Sequence, residues 1–162
     1  MKESTKAFIS IILPIAIFFL SGIVFAQDEN TEIPFSPTEE WSEYAIFNGI
    51  KVEYMMKVCI PKTREQNLLL FRYTNTTAED LSFKWTLKVF RDGHCTNCER
   101  LDNPEYTHTV HLSASESIEA NISKMDRAMY VFGNYVKHVP GMSDQRLTGI
   151  EFVNVTVKDT EL

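Results

Sequence analysis

The chain has 162 residues, a formal net charge of −6 and three cysteines. It is long enough for one domain with a hydrophobic core that does not depend on many disulfides. A net acidic protein has no general attraction to phosphate backbones or anionic lipid, which argues against nucleic acid and membrane surfaces as partners.

The first 26 residues read as a secretory signal peptide. Lys2 and Lys6 supply the positive start, and Phe8 to Phe25 is apolar apart from Ser10, Pro14, Ser21 and Gly22. Val24-Phe25-Ala26 then offers a cleavage site before the polar Gln27-Asp28-Glu29-Asn30. The apolar run is marginally long enough to span a bilayer, but Pro14 and the cleavage-like site favour removal, leaving no stable membrane span. This predicts an exported protein, periplasmic or extracellular.

Residues 27–44 read as an acidic linker, expected to be disordered. It carries Asp28, Glu29, Glu32, Glu39, Glu40 and Glu43 with no Lys or Arg, and Pro34 and Pro37 interrupt regular structure. Trp41 and Tyr44 give the end of this arm two rings with which to dock. The folded domain is expected over 45–162.

From there the hydrophobic period is two. Val52, Tyr54, Met56 and Val58 share one face of Ile50–Ile60, with Lys51, Glu53, Met55 and Lys57 on the other. Leu69, Phe71 and Tyr73 align within Asn67–Thr74. Leu81–Val89 alternates most cleanly, with Leu81, Phe83, Trp85, Leu87 and Val89 opposite Ser82, Lys84, Thr86 and Lys88. Such patterns mark half-buried antiparallel strands. A hairpin is expected from His108–Leu112 and Ser117–Ile122 around Ser113-Ala114-Ser115-Glu116. Met129–Val139 suits a strand or a short helix capped by Ser123 and Asp126. In Leu147–Lys158 the apolar parity changes, which predicts a bulge near Phe152. Together these elements predict an all-β, immunoglobulin-like antiparallel sandwich of about seven strands.

Cys95-Thr96-Asn97-Cys98 lies in the connection Arg91–Glu105. In an oxidising compartment the pair reads as a local disulfide, leaving Cys59 unpaired. If the first three strands form a meander, Cys59 ends at the same pole as His94, Cys95 and Cys98. A zinc site or a bridge from Cys59 then become alternatives. A looser zinc pattern, Cys95, Cys98, His108 and His111, conflicts with the period, which puts the two histidines on opposite faces. Asn75-Thr76-Thr77, Asn121-Ile122-Ser123 and Asn154-Val155-Thr156 fit the N-glycosylation pattern. No catalytic residue, cofactor-binding residue or metal ligand can be nominated, and no cofactor is implied.

Three runs, Leu68-Leu69-Leu70-Phe71-Arg72-Tyr73-Thr74-Asn75-Thr76-Thr77, Asp92-Gly93-His94-Cys95-Thr96-Asn97-Cys98 and Arg146-Leu147-Thr148-Gly149-Ile150-Glu151-Phe152, resemble small exported proteins of Bacteroidota, as does Phe83-Lys84-Trp85. The resemblance implies a Gram-negative periplasm or outer surface and brings no site residues. The expected function is a non-enzymatic binding module for an unknown protein or envelope component. The alternatives are a thiol-disulfide or metal-handling protein using Cys59, Cys95 and Cys98, and an unrecognised hydrolase.

Overall fold

The computed structural model describes residues 31–32, 37–38, 40–61, 63–124 and 126–160. The expected signal peptide lies outside them. Two antiparallel sheets make an all-β sandwich. The strands, in chain order, are β1 (Thr31–Glu32), β2 (Ser42–Phe47), β3 (Ile50–Cys59), β4 (Gln66–Asn75), β5 (Leu81–Arg91), β6 (His94–Cys95), β7 (Thr107–Leu112), β8 (Ser117–Glu119), β9 (Tyr130–Tyr135) and β10 (Leu147–Asp159). One sheet runs β1-β10-β5, with β6 and β7 both pairing the far edge of β5. The other runs β2-β3-β4, with β8 and β9 both pairing β4. No helix among the described residues is long and apolar enough to cross a membrane.

The period-two pattern explains the core. Val52 and Met56 of β3, Leu69, Phe71 and Tyr73 of β4, and Leu81, Phe83, Trp85 and Leu87 of β5 all face between the sheets. Trp85, 1% exposed, sits at the centre, with its ring centroid 4.6 Å from Phe83, 5.0 Å from Tyr73 and 5.7 Å from Phe152. Its indole Nε1 has no hydrogen-bond partner among the described residues.

A second apolar cluster lies on the outer face of the β2-β3-β4 sheet. Met55, Cys59, Leu68 and Leu70 are buried there under Trp41, Ala120, Ile122, Tyr130 and Phe132. This is why β4 buries four consecutive residues, Leu68 to Phe71, instead of alternating. Further along the same face, Glu53 is 7% exposed and accepts from Arg72 Nε at 2.8 Å, Arg72 Nη2 at 2.9 Å and Lys51 Nζ at 3.0 Å. The Arg72 hydrogen bonds, outweighing burial, hold its carboxyl below the usual range.

Several expectations are corrected. The first three long strands do not form a meander: β3 pairs β4, but β5 belongs to the opposite sheet. The expected hairpin around 113–116 does not form either, because β7 pairs β5 while β8 pairs β4. Ser113–Glu116 is instead a corner between sheets, with Ser115 at φ +60 and Glu116 Oε2 accepting from Ser113 N–H at 2.7 Å. A period of two says which face is buried but not which sheet a strand joins. The arm is ordered at two places: Thr31 and Glu32 pair with Ile150 and Gly149, and Ser42 to Tyr44 open β2. Backbone pairing to an open sheet edge outweighs the acidic composition there. Trp41 lies over the Arg72 guanidinium at 4.7 Å, and Tyr44 packs on Phe152 at 4.9 Å. Met129–Val139 resolves as the strand β9. The expected bulge near Phe152 is present: the register of β10 shifts between Val153 and Thr156, with Asn154 at φ +52, and shifts again between Leu147 and Gly149.

Candidate functional site

β5 leaves a gap on one edge. β7 pairs with it from Leu81 to Thr86, and β6 pairs at Phe90 and Arg91, so among the described residues no strand borders Leu87 to Val89 on that side. The Cys95–Cys98 loop fills the gap. The two cysteines are bonded to each other with their Cα atoms 5.7 Å apart. Between them, Thr96 N–H donates to Val89 C=O at 2.9 Å. The Asn97 side chain is 3% exposed; its Oδ1 accepts from Val89 N–H at 2.9 Å and its Nδ2 donates to Leu87 C=O at 2.8 Å. A side-chain amide thus supplies the donor and acceptor that a missing strand would have supplied.

Beyond the disulfide, two short 3₁₀ turns return the chain to β7. Asn103 Oδ1 accepts from Glu105 N–H at 3.0 Å and Pro104 sets the backbone of the second turn, which places Glu105 and Tyr106 beside β5. Opposite them stands β9. The turn before it is fixed by Asp126 Oδ1, which accepts from Ala128 N–H at 2.9 Å, and by Tyr73 Oη, which donates to Ala128 C=O at 2.7 Å. Arg91 joins the sheets at the end of the gap, donating to Gly133 C=O and Phe132 C=O at 2.7 Å each.

These elements enclose a groove of about 340 Å³ at the open edge between the sheets. Its apolar wall is Leu87, Val89, Val131 and Phe132; its polar groups are Tyr106, His108 and Tyr130, with Glu105 and Arg127 at the rim. Glu105 and Arg127 form an ion pair. The His108 ring lies 5.7 Å from Trp85. Burial pushes its pKa below the ordinary value, with Asp126 opposing and Arg127 assisting. Burial therefore favours the neutral imidazole, which donates from one nitrogen and accepts at the other. An apolar wall with a few convergent polar groups is the ordinary build of a small-ligand or side-chain pocket.

Of the residues singled out from sequence, the Cys95–Cys98 pair braces one wall of this groove and His108 lines it. Cys59 takes no part. It is a free thiol, 4% exposed, on the outer face of the opposite sheet, and burial raises its pKa. Among the described residues no group of three or more His, Cys, Asp or Glu could hold a metal ion. His111 points away from His108 and is exposed. Asn75 is 1% exposed, its Nδ2 donating to Glu79 C=O at 2.7 Å and Ser113 C=O at 3.0 Å, which removes it as a glycosylation acceptor. Tyr106, Arg127 and Tyr130 were not legible as site residues. Only the shared parity of His108 with Val110 and Leu112 hinted that an imidazole faces inward.

Compared with protein families, curated proteins and solved structures, the chain matches none of them.

Proposed function

We propose that this is an exported, non-enzymatic binding protein with an immunoglobulin-like sandwich, and that its ligand enters the groove between β5, β7 and β9. The observation that carries the reading is the groove itself: an apolar wall, two tyrosines and a half-buried histidine on elements fixed by a disulfide loop and the Asn97 clamp. Preorganised aromatic and aliphatic surface favours binding because little side-chain entropy is lost on contact. The residues lining it include no Ser, Thr or Cys, and its one carboxylate, Glu105, is held in an ion pair with Arg127, so a hydrolase reading finds little support there. Export rests on residues 1–26, and the resemblance to small exported proteins of Bacteroidota points the same way. The immunoglobulin-like assignment is supported by two antiparallel sheets between which the chain crosses repeatedly.

The thiol-disulfide alternative is less well supported. Cys98 opens a three-residue 3₁₀ turn, not an α-helix whose dipole would lower a thiol pKa.

The test is site-specific photocrosslinking in the native envelope. A photoreactive residue at Tyr106 should capture a defined partner, and Tyr130→Ala should abolish capture. The same photoreactive residue at exposed Lys57, on the opposite sheet and away from the groove, should capture nothing comparable. Equal yields at the two positions would remove the groove from the reading.

A further inference from the structure

The outer face of the β10-β5-β7 layer has a chemistry unlike the groove. Across the strands, Thr109, Lys84 and Thr156 are register neighbours, and Ser82 stands beside Lys158. Behind them Thr86 is buried, its Oγ1 3.2 Å from Thr107 Oγ1. Asn154, in the bulge at φ +52, borders this face, as do Leu101 and Asp102 from the turn after the disulfide. The result is a polar hollow of about 590 Å³.

Two features identify what would fill it. The first is charge. Lys88, next outward-facing residue along β5, is paired with Glu151 at 2.8 Å, but no ion pair neutralises Lys84 or Lys158 among the described residues. In a chain of net charge −6, two unpaired ammonium groups over one hollow form a local positive site. The second is the floor. Threonine and serine hydroxyls each donate and accept, as sugar hydroxyls do. The lining has no aromatic ring on which a nucleobase could stack, and Leu101 is its only large apolar side chain. A peptide would find no hydrophobic anchor there.

We propose that this face binds an anionic glycan. Lys84 and Lys158 hold the acidic groups, the threonine rows and Asn154 exchange hydrogen bonds with ring hydroxyls, and Asp102 accepts from them at the rim. The site is independent of the groove, which uses the inner face of the same sheet.

Affinity electrophoresis of the whole protein through gels carrying polygalacturonate, dextran sulfate, neutral dextran or polyglutamate tests this. Retardation is expected with at least one of the anionic glycans and not with neutral dextran, with polyglutamate at least tenfold weaker. The K84Q/K158Q double variant should lose at least tenfold in apparent affinity, while Lys88→Gln, on the same face but already paired, should not. With the retarding glycan added to unsubstituted protein, backbone amide shifts should concentrate at 82–86, 107–109 and 154–158. Failure to retard with either anionic glycan, equal retardation by polyglutamate, or shifts confined to 127–132 would each overturn the proposal. Tyr130→Ala should leave glycan retardation unchanged, so failure of the groove reading and of this one are distinguishable.

Discussion

Replacing Asn97 by alanine should destabilise the domain by more than the disulfide contributes. The amide makes two bonds to β5, one to Leu87 C=O in a buried setting and one to the half-buried Val89 N–H. Alanine leaves both backbone groups without partners. A buried unsatisfied polar group costs about 1–3 kcal/mol and a half-exposed one about 1, so the expected loss is about 2–4 kcal/mol. Closing the four-residue ring at Cys95–Cys98 contributes about 2 kcal/mol in the loop-entropy picture. Both devices hold one loop, so alanine plus reduction should cost less than the two effects added. Aspartate makes a sharper probe. It keeps the acceptor for Val89 N–H but turns an oxygen toward Leu87 C=O, which favours its protonated form. Its pKa is therefore raised in the fold, and the stability of that variant should be recovered as pH falls and lost as pH rises through the raised value. Urea denaturation followed by tryptophan fluorescence, from pH 4 to pH 8, measures all of this. An Asn97→Ala loss within about 0.5 kcal/mol of zero, the range of ordinary surface changes, would refute the idea that the side chain substitutes for a strand.

Trp85→Ala should cost about 3–5 kcal/mol, whereas Lys84→Ala, on the outer face of the same strand, should cost under about 0.5. Trp85→Phe should lie well below the alanine value, because it also removes a buried N–H without a partner; equal melting shifts for Phe and Ala would count against that. In Gly133→Ala the new methyl would sit 2.7 Å from the Asn67 carbonyl oxygen, so a loss of about 1–3 kcal/mol is expected in denaturant melts. His108, with its pKa depressed by burial, contributes stability that is present above its ordinary value of 6.5 and lost as pH falls from there through the depressed value. His108→Gln should remove that part of the acid slope, and an unchanged slope would place the imidazole in solvent. Peptide mapping of non-reduced protein should show Cys95 linked to Cys98 and Cys59 as a thiol; any Cys59 bridge would contradict its burial among Met55, Leu68 and Leu70.

The strands and their inward faces were legible because burial follows parity. Leu81, Phe83, Trp85 and Leu87 could be assigned to one face from sequence alone, and all four lie in the core. What parity could not convey is the choice between sheets. β4 and β5 are joined by a short polar connection that suits a hairpin, yet they separate into different sheets, and β7 and β8 do the same. The groove depends on that choice, since His108 and Tyr130 meet only because β7 and β9 belong to opposite layers. The cover over Leu68 and Leu70 was equally hidden. It comes from Trp41 and from 120–132, distant in sequence, so the outer face of β4 read as a plain run of leucines. The parity change in β10 was visible, but its site depended on the backbone at Asn154. Asn97 was invisible as a clamp, because nothing local distinguishes a polar loop residue from one that completes a ladder.

The pairing of β10 with β5 along most of its length, and of Thr31 with Ile150, has a consequence for how the domain is made. A chain that emerges N-terminus first can close the β2-β3-β4 layer early, since those strands follow one another. β5, carrying Trp85 and its aromatic neighbours, must wait with one long edge open until almost the whole chain has appeared. Contacts between such distant segments form slowly, because loop closure must come before any gain from pairing. Through that interval the strand that carries Leu81, Phe83, Trp85 and Leu87 has an exposed pairing edge, an opening for association with other chains. A stop codon before residue 147 would make that interval permanent, leaving a chain with most of its core residues and no means of covering them.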